Sequence, residues 1–469
     1  LDICPFGSFL ELGIWFLDLS PMKPLWLFLY RSYRIFSGLR YWVLRRFTRP
    51  GLVMLGAMFA TAMMGPDTDN NVAYQAFTLL FFLLAIAFVF SWFFRVRFSA
   101  TRLLPRFGTV GQPFRYAILV KNLTAKTQRG LTLLDDLADP RLSFKEWYAA
   151  RCADEKHLRP FRVGQRPRTR PLKPATVKEA PVPPIPPGQE MEVPIELMPL
   201  RRGVLRFAGA TLARPDPIGL FRAMAKTSLP QSALILPRRY PLPAIALPGT
   251  LEYQAGGVAL ASSVGQSEEF VSLRDYRQGD PLRHIHWRSW ARVGKPVVKE
   301  FEDEFFVRHA LVLDTFSDHP HSEAFEEAVS VAASFACAIQ TQESLLDLLF
   351  VGPQSYCFTA GRGLAHADQM LEILASVRPC PHQRFSMLEE LVLNHLGDVS
   401  GCVCILMKWD DERRSFIQKL KAFGTPVLVV IITTPGKNQV LDPGPMSDEP
   451  DRFHVLELGQ IEQGLAKLQ

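Results

Sequence analysis

The feature that most constrains this chain is an uncharged run from Val72 to Phe94, VAYQAFTLLFFLLAIAFVFSWFF. A helix of roughly 23 residues covers about 35 Å, against a bilayer hydrocarbon core of about 30 Å. The run is apolar on every face, so it has no side to turn to water. Upstream, GLVMLGAMFATAMMG (Gly51 to Gly65) is also free of charge. It covers only about 22 Å, so as a span it must recruit Trp42 to Phe47 with Arg45 and Arg46 snorkelling, or thin the bilayer locally. The connection PDTDNN (Pro66 to Asn71) is short and acidic. These features predict two transmembrane helices over residues 51–94, paired as a hairpin.

The flanks carry the opposite charge. Lys23, Arg31, Arg34, Arg40, Arg45, Arg46 and Arg49 precede the pair, and Arg95, Arg97, Arg102 and Arg106 follow it. The positive-inside bias then puts both flanks and everything after residue 100 on the cytoplasmic side of a multi-pass protein. Residues 1–50 are read as a basic segment at the lipid bilayer interface, because Glu11, Asp18, Pro21, Lys23 and Pro24 interrupt their apolar character. No cleavable signal pattern is seen.

The net charge of +7 invites a nucleic-acid reading. Its distribution argues against one. Residues 1–50, 95–106 and 159–180 together hold 18 Lys+Arg and 4 Asp+Glu, so the remainder is acidic on balance. No nucleic-acid partner is therefore expected. The chain's 48% hydrophobic content excludes a disordered tail, and 469 residues suggest about three units. The 7 cysteines include no CxxC pair, so neither a disulfide framework nor a zinc ribbon is indicated. Cys402 and Cys404 alternate within GCVCILM and read as core thiols.

After the spans, PFRYAILVKN (Pro113 to Asn122), LTLLDD (Leu131 to Asp136), MEVPIELMPL and GVLRFAGATLA read as short strands. Their spacing predicts an all-β, sandwich-like domain over 98–236. Within it, the Pro- and Arg-rich stretch 159–188 reads as a loop or linker, partly polyproline II.

The most informative stretch is FVSLRDYRQGDPLRHIHWRSWARVGKPVVKEFEDE, Phe270 to Glu304, within a segment spanning 237–304. Arg274, Asp275, Arg277, Asp280 and Arg283 alternate in sign, Arg288 and Arg292 follow, and all interleave with Tyr276, Trp287 and Trp290. Planar guanidinium forks engage carboxylates in pairs and indoles offer stacking platforms, so a knit of ion pairs is expected here in place of an apolar core. His284 and His286 are predicted to share one face of a strand. With no carboxylate at a ligand spacing, they read as solvated or ion-paired, not as metal ligands.

The run LRDYRQGDPLRHIHWRSWAR followed by GKPVVKE resembles the hallmark of domain-of-unknown-function family 58, R-[DE]-Y-x-x-G-D-x-x-R-x-I-x-W-x-x-x-A-R. Arg274, Asp275, Tyr276, Gly279, Asp280, Arg283, Trp287 and Arg292 carry the match. RPDPIGLFR (Arg214 to Arg222) is similar to the family's DPFGLF stretch, with Ile218 in place of Phe. PRRYPLP (Pro237 to Pro243) and GRGLAHADQMLEILASVRP fit the same layout. The resemblance implies a protein anchored in the bacterial inner membrane, with a β-rich middle and a von Willebrand factor A-like C-terminal domain. It further implies partnership with a MoxR-type AAA+ ATPase, in company with transglutaminase-like membrane proteins, in assembling or activating other proteins.

From residue 305 to 469 strand and helix alternate. HALVLD, SLLDLLFVG, SYCFTA, GCVCILM and TPVLVVIITT read as strands. SEAFEEAVSVAASFACAIQTQ (with Ser322 as N-cap), AHADQMLEILASV and DERRSFIQKLKAFG (closed by Gly424) read as helices. This pattern predicts a doubly wound, mostly parallel sheet. Domains like the one the resemblance implies often hold Mg²⁺ through D-x-S-x-S plus a Thr and an Asp. Here Asp314 fits, but Phe316 stands at the first Ser position and Asp318 at the second. Asp410 follows the GCVCILM strand, and Thr359 is only loosely placed. Phe316 removes an oxygen that a hard cation wants. Asp314, Asp318 and Asp410 are thus weak metal candidates, and no cofactor is expected.

No G-x-S-x-G, P-loop or H-E-x-x-H occurs, which favours a non-enzymatic membrane-anchored adaptor or scaffold. The alternative is a metal-dependent, Mg-binding enzyme such as a hydrolase, or a ligand-binding A-type domain.

Overall fold

The structure is a computed structural model. It describes residues 23–64, 71–94, 96–139, 141, 143–144, 147–148, 173–243, 264–280, 282–305, 308–317, 322–340, 345–360, 364–381, 383–434 and 441–468. The chain is multidomain with mixed sheets. It opens with three helices, α1 (Lys23–Arg46), α2 (Arg49–Met64) and α3 (Asn71–Trp92), of which α2 and α3 pack together.

Among the described residues one helix, Val72–Trp92, is long and apolar enough to cross a membrane. The 16 residues of α2 cover about 24 Å, short of the hydrocarbon core. The expected extension through Trp42 to Phe47 is not made, because those residues belong mainly to α1 and the chain breaks at Phe47 and Thr48. The break is held from outside. Thr48 N–H donates to the Leu220 carbonyl at 3.1 Å, Phe47 bridges Phe221, and Arg45 pairs with Asp136.

The all-β unit consists of two sheets. One has the order β1 (Phe98–Leu103), β3 (Phe114–Asn122), β7 (Glu190–Pro199), β5 (Ala175–Val177). The other runs β2 (Phe107–Thr109), β9 (Arg222–Leu236), β8 (Gly203–Pro215), β4 (Leu131–Leu137), β6 (Ala180–Val182). Strict alternation of burial along β3 sends Phe114, Tyr116, Ile118 and Val120 into a core shared with Leu133, Val193, Ile195, Leu212 and Ile235. The stretch 159–188 departs from a plain loop. Residues 159–172 lie outside the described residues, but β5 and β6 pair into the two sheets, and Ile185 is buried and bridges Gln128. Alternating small apolar residues (Ala175, Val177, Ala180, Val182) supply the inward contacts that the prolines obscure in the sequence.

Next comes a two-stranded ribbon, β10 (Val264–Asp275) and β11 (Val297–Phe305), joined through a 3₁₀ turn at Leu282–His284 and α4 (Trp287–Val293). Among the described residues it joins no larger sheet.

The C-terminal unit is a six-stranded sheet ordered β14 (Ser355–Ala360), β13 (Leu345–Val351), β12 (Arg308–Leu313), β15 (Gly401–Leu406), β16 (Val427–Thr433), β17 (Phe453–Glu457). All neighbours are parallel except β14, which is antiparallel to β13. The helices α5 (Glu323–Gln340), α6 (Leu364–Ser376) and α9 (Ile461–Leu465) cover one face; α7 (Ser386–Leu393) and α8 (Asp411–Ala422) cover the other. Leu311, Val403 and Val430 belong to the first core, while Val312, Cys404 and Val429 belong to the second. Strands buried on both faces explain the continuous apolar runs. Burial pushes the Cys402 thiol up to about 12, as befits an inert core side chain.

Arg202 and Tyr240 are among the residues that join the sandwich to this unit. Arg202 donates to the Leu374 and Val377 carbonyls at 3.1 and 2.7 Å, pairs with Glu326, and lies over the Phe325 ring. Tyr240, from the PRRYPLP stretch, donates its hydroxyl to Glu327 at 2.6 Å.

Candidate functional site

In a doubly wound sheet, ligands gather beyond the carboxyl ends of the strands where the winding reverses. Here β13 lies to one side of β12 and β15 to the other, so the reversal falls between β12 and β15. Asp314 closes β12 there. Its side chain is fully buried, and it accepts the Phe316 N–H at 3.0 Å and the Met407 N–H at 3.2 Å. Asp410 follows β15 as the N-cap of α8, accepting the Arg413 N–H at 3.2 Å. The two candidate carboxylates are thus brought together, and Arg413 is what joins them. Its Nε donates to Asp314 Oδ2 at 2.7 Å and its Nη1 to Asp410 Oδ2 at 2.6 Å. Burial, the largest single influence, would lower the Arg413 pKa, but the charges and hydrogen bonds of Asp314 and Asp410 together outweigh it and hold the guanidinium above its ordinary value. Burial would likewise raise Asp410, yet the bonds from Arg413 leave it below the usual carboxylate range.

Asp318 lies outside the described residues. Thr359 sits on the edge strand β14, where its hydroxyl accepts from Arg308, so it takes no part in this cluster. No group of three or more His, Cys, Asp or Glu placed to hold a metal occurs among the described residues. In the sequence, Arg413 stands out only as part of the helix DERRSFIQKLKAFG. A signal was nevertheless present: Arg413, Phe416, Ile417 and Leu420 share the i, i+3, i+4, i+7 stripe, and all are buried. A charge on a core-facing stripe calls for a buried partner.

The ribbon carries the second group of expected residues. Arg274 engages Asp280 in two bonds of 2.8 Å each, and Asp280 also accepts the Arg277 N–H at 2.8 Å. The fork of Arg274 holds the Asp280 carboxyl at about 2. Gly279, at φ 110°, makes the turn that returns Asp280 to Arg274. Tyr276 is tied by its N–H to the Pro296 carbonyl at 3.0 Å, and Asp275 stands opposite Val297 on the strand pair. Trp287 stacks on Trp290 with ring centres 5.2 Å apart and planes 19° from parallel. Arg292 is exposed in the last turn of α4. Arg283, also exposed, donates to the His284 ring at 3.2 Å.

His284 and His286 do not share a strand face. His284 ends the 3₁₀ turn and His286 precedes α4, its Nδ1 2.7 Å from the Ser289 hydroxyl. The 3₁₀ turn at Leu282–His284 interrupts the alternation that the sequence suggests. Among the described residues, Ile285, Val297 and Val298 are buried and brace this module, while Leu282, Trp287 and Val293 stand exposed, Trp287 at 64%.

The RPDPIGLFR stretch forms a third group. The Asp216 carboxylate accepts the Leu220 and Phe221 N–H groups at 2.6 and 2.9 Å. This loop seats Phe221 among Phe47, Met54, Leu83, Leu84 and Ala87, where the helices meet the sandwich.

The architecture defines a class, a β-sandwich joined to a doubly wound α/β unit with an apolar N-terminal helix. Within it, residues 272–432 match the family described as protein of unknown function DUF58, supporting the resemblance over the ribbon and most of the α/β unit. The chain is also 28% identical over 191 residues to the uncharacterized protein YeaD of Bacillus subtilis (strain 168). That similarity covers 40% of this chain and 46% of YeaD, so the chain spans about half the length of this curated relative. Among solved structures, a cohesin module from a Clostridium perfringens family 33 glycoside hydrolase matches at 13% identity and a TM-score of 0.16, covering 30% of this chain and 98% of the module. A Vibrio harveyi GH20 exo-β-N-acetylglucosaminidase matches at 8% identity and a TM-score of 0.12, covering 72% and 57%. Overlap that low carries no argument about fold or activity.

Proposed function

We propose that this protein is a non-enzymatic, membrane-anchored adaptor. Its C-terminal unit serves as a von Willebrand A-like platform and its ribbon docks a MoxR-type AAA+ ATPase, with a transglutaminase-like membrane protein as a further member of the assembly. The observation that carries the reading is the Trp287–Trp290 stack on a module that also exposes Leu282 and Val293 together with Arg283, Arg288 and Arg292. Exposed aromatic and arginine side chains on a braced scaffold are what protein interfaces use as anchors. In this reading α3 anchors the chain in the bacterial inner membrane, α2 lies against it as the other arm of a hairpin, and the folded units face the cytoplasm. The positive flanks support that orientation.

The test is retention of the MoxR-type ATPase of the same host by the full chain in detergent. Wild-type chain is expected to retain it, and Trp287→Ala to weaken retention tenfold or more, about 1.4 kcal/mol. A wild-type chain that retains none of the ATPase would falsify the adaptor reading.

A further inference from the structure

We propose that Arg413 is a built-in cation, a tethered guanidinium that occupies the position at which a sheet of this topology gathers a divalent ion. The inference does not depend on the adaptor reading. Its basis is position, geometry and the fate of each oxygen. Asp314 and Asp410 come from the ends of the two strands that flank the winding reversal, and Arg413 lies between them, only 3% exposed. Its guanidinium faces the ring of Phe385 at 4.6 Å, which in turn packs edge-on against Phe316 and Phe416. The cation is therefore shielded from water and walled by aromatic rings, the setting in which a cation–π contact counts most.

A magnesium ion does not fit beside it. Mg²⁺ requires near-octahedral oxygens at about 2.0–2.1 Å. Asp314 already accepts from Arg413, Phe316 and Met407, and the Thr315 hydroxyl is turned to the Val351 carbonyl. Phe316 presents a ring where an oxygen would be wanted. Arg413 would have to leave for a metal to enter, and its departure would strand two carboxylates without a counter-charge. The same reasoning gives the converse expectation: a chain lacking the guanidinium keeps the buried Asp314 and the solvent-reachable Asp410 with no cation bridging them, and acquires affinity for a divalent ion.

Thermal unfolding of the full chain in detergent tests this, with Mn²⁺, Mg²⁺ or a chelator added. The wild-type midpoint is expected not to move with any of them. Arg413→Ala should unfold at a lower temperature and regain part of that loss with Mn²⁺, and Asp314→Asn in the same chain should abolish the regain. A double variant supplies a second arm that does not require purified Arg413→Ala. Asp314→Asn with Arg413→Met should unfold above Asp314→Asn alone, since the single variant keeps a buried guanidinium whose one remaining carboxylate is the exposed Asp410, while the double variant buries no charge here. Three results overturn the proposal: a wild-type midpoint that rises with Mn²⁺ and loses the rise in Asp314→Asn; a folded Arg413→Ala chain indifferent to Mn²⁺; or a double variant no more stable than Asp314→Asn.

Discussion

Asp280 shows how a single residue can set the shape of an exposed segment. Its carboxylate receives both prongs of the Arg274 fork and the Arg277 N–H, so three donors fix a turn that has little apolar packing of its own. The folded carboxyl titrates at about 2, below its ordinary value near 3.9. For a depressed carboxylate the sign is fixed: its contribution to stability is complete above the unfolded value and disappears as pH falls through the folded one. The ribbon turn should therefore persist through mildly acidic conditions and loosen only near pH 2. Arg274→Gln should return the carboxyl to its ordinary range, as read from the pH dependence of the Asp280 carboxyl carbon resonance; an unmoved titration would exonerate Arg274. A buried counterpart lies in the sandwich. There Arg102 donates through Nε to Asp135 at 3.1 Å, Tyr116 donates to the same carboxylate, and both members of the ion pair are fully enclosed. Asp135→Ala would leave the guanidinium buried without its anion, which costs about 3–5 kcal/mol. A denaturant midpoint within error of wild type would show the pair to be dispensable.

At the scale of elements, what the sequence made legible follows from how each element is stabilised. Strands such as β3 could be read because burial on one face forces strict alternation, and β15 and β16 because burial on both faces forces continuous apolar runs. Ser322 and Gly424 mark helix ends as expected: the Ser322 hydroxyl accepts the Phe325 N–H at 3.4 Å, and Gly424 adopts φ 78°. Elements fixed by tertiary contact stayed hidden. Both β5 and β6 are three residues long and sit among prolines, and β9 carries a largely polar middle. The ribbon was legible as an unusual charge pattern but not as a strand pair, because its turn and helix interrupt the period. Of the candidate site, Asp314 and Asp410 could be named from their places after apolar strands. Arg413 could not, since its role arises only when α8 folds back on the sheet and brings a third-position arginine between them.

At the scale of the whole molecule, the Asp216–Phe221 loop is one mechanical link between the apolar helices and the sandwich, beside the Arg45–Asp136 pair. Asp216 ties the loop to itself, Thr48 and Phe47 hold it to the break between α1 and α2, and Phe221 fills the space beside Ala87 of α3. The sandwich is clamped in turn to the α/β unit through Arg202 and Tyr240, so a displacement at the helices has a continuous packed route toward the sheet. The tightest point of the link is Gly51. A Cβ placed there would meet the Leu220 carbonyl oxygen at 2.0 Å, with backbone on the other side of the contact and no flexible side chain to yield. Gly51→Ala should therefore push the loop off the helices without touching either folded unit. Hydrogen exchange on the full chain in lipid nanodiscs reads this directly. The Thr48 amide, bonded to the Leu220 carbonyl at 3.1 Å, should exchange faster in the variant, while amides of β12 and β15 keep their protection. Equal acceleration in both places would mean that the substitution destabilises the chain globally, and unchanged exchange at Thr48 would mean that the loop tolerates the methyl group and is no latch.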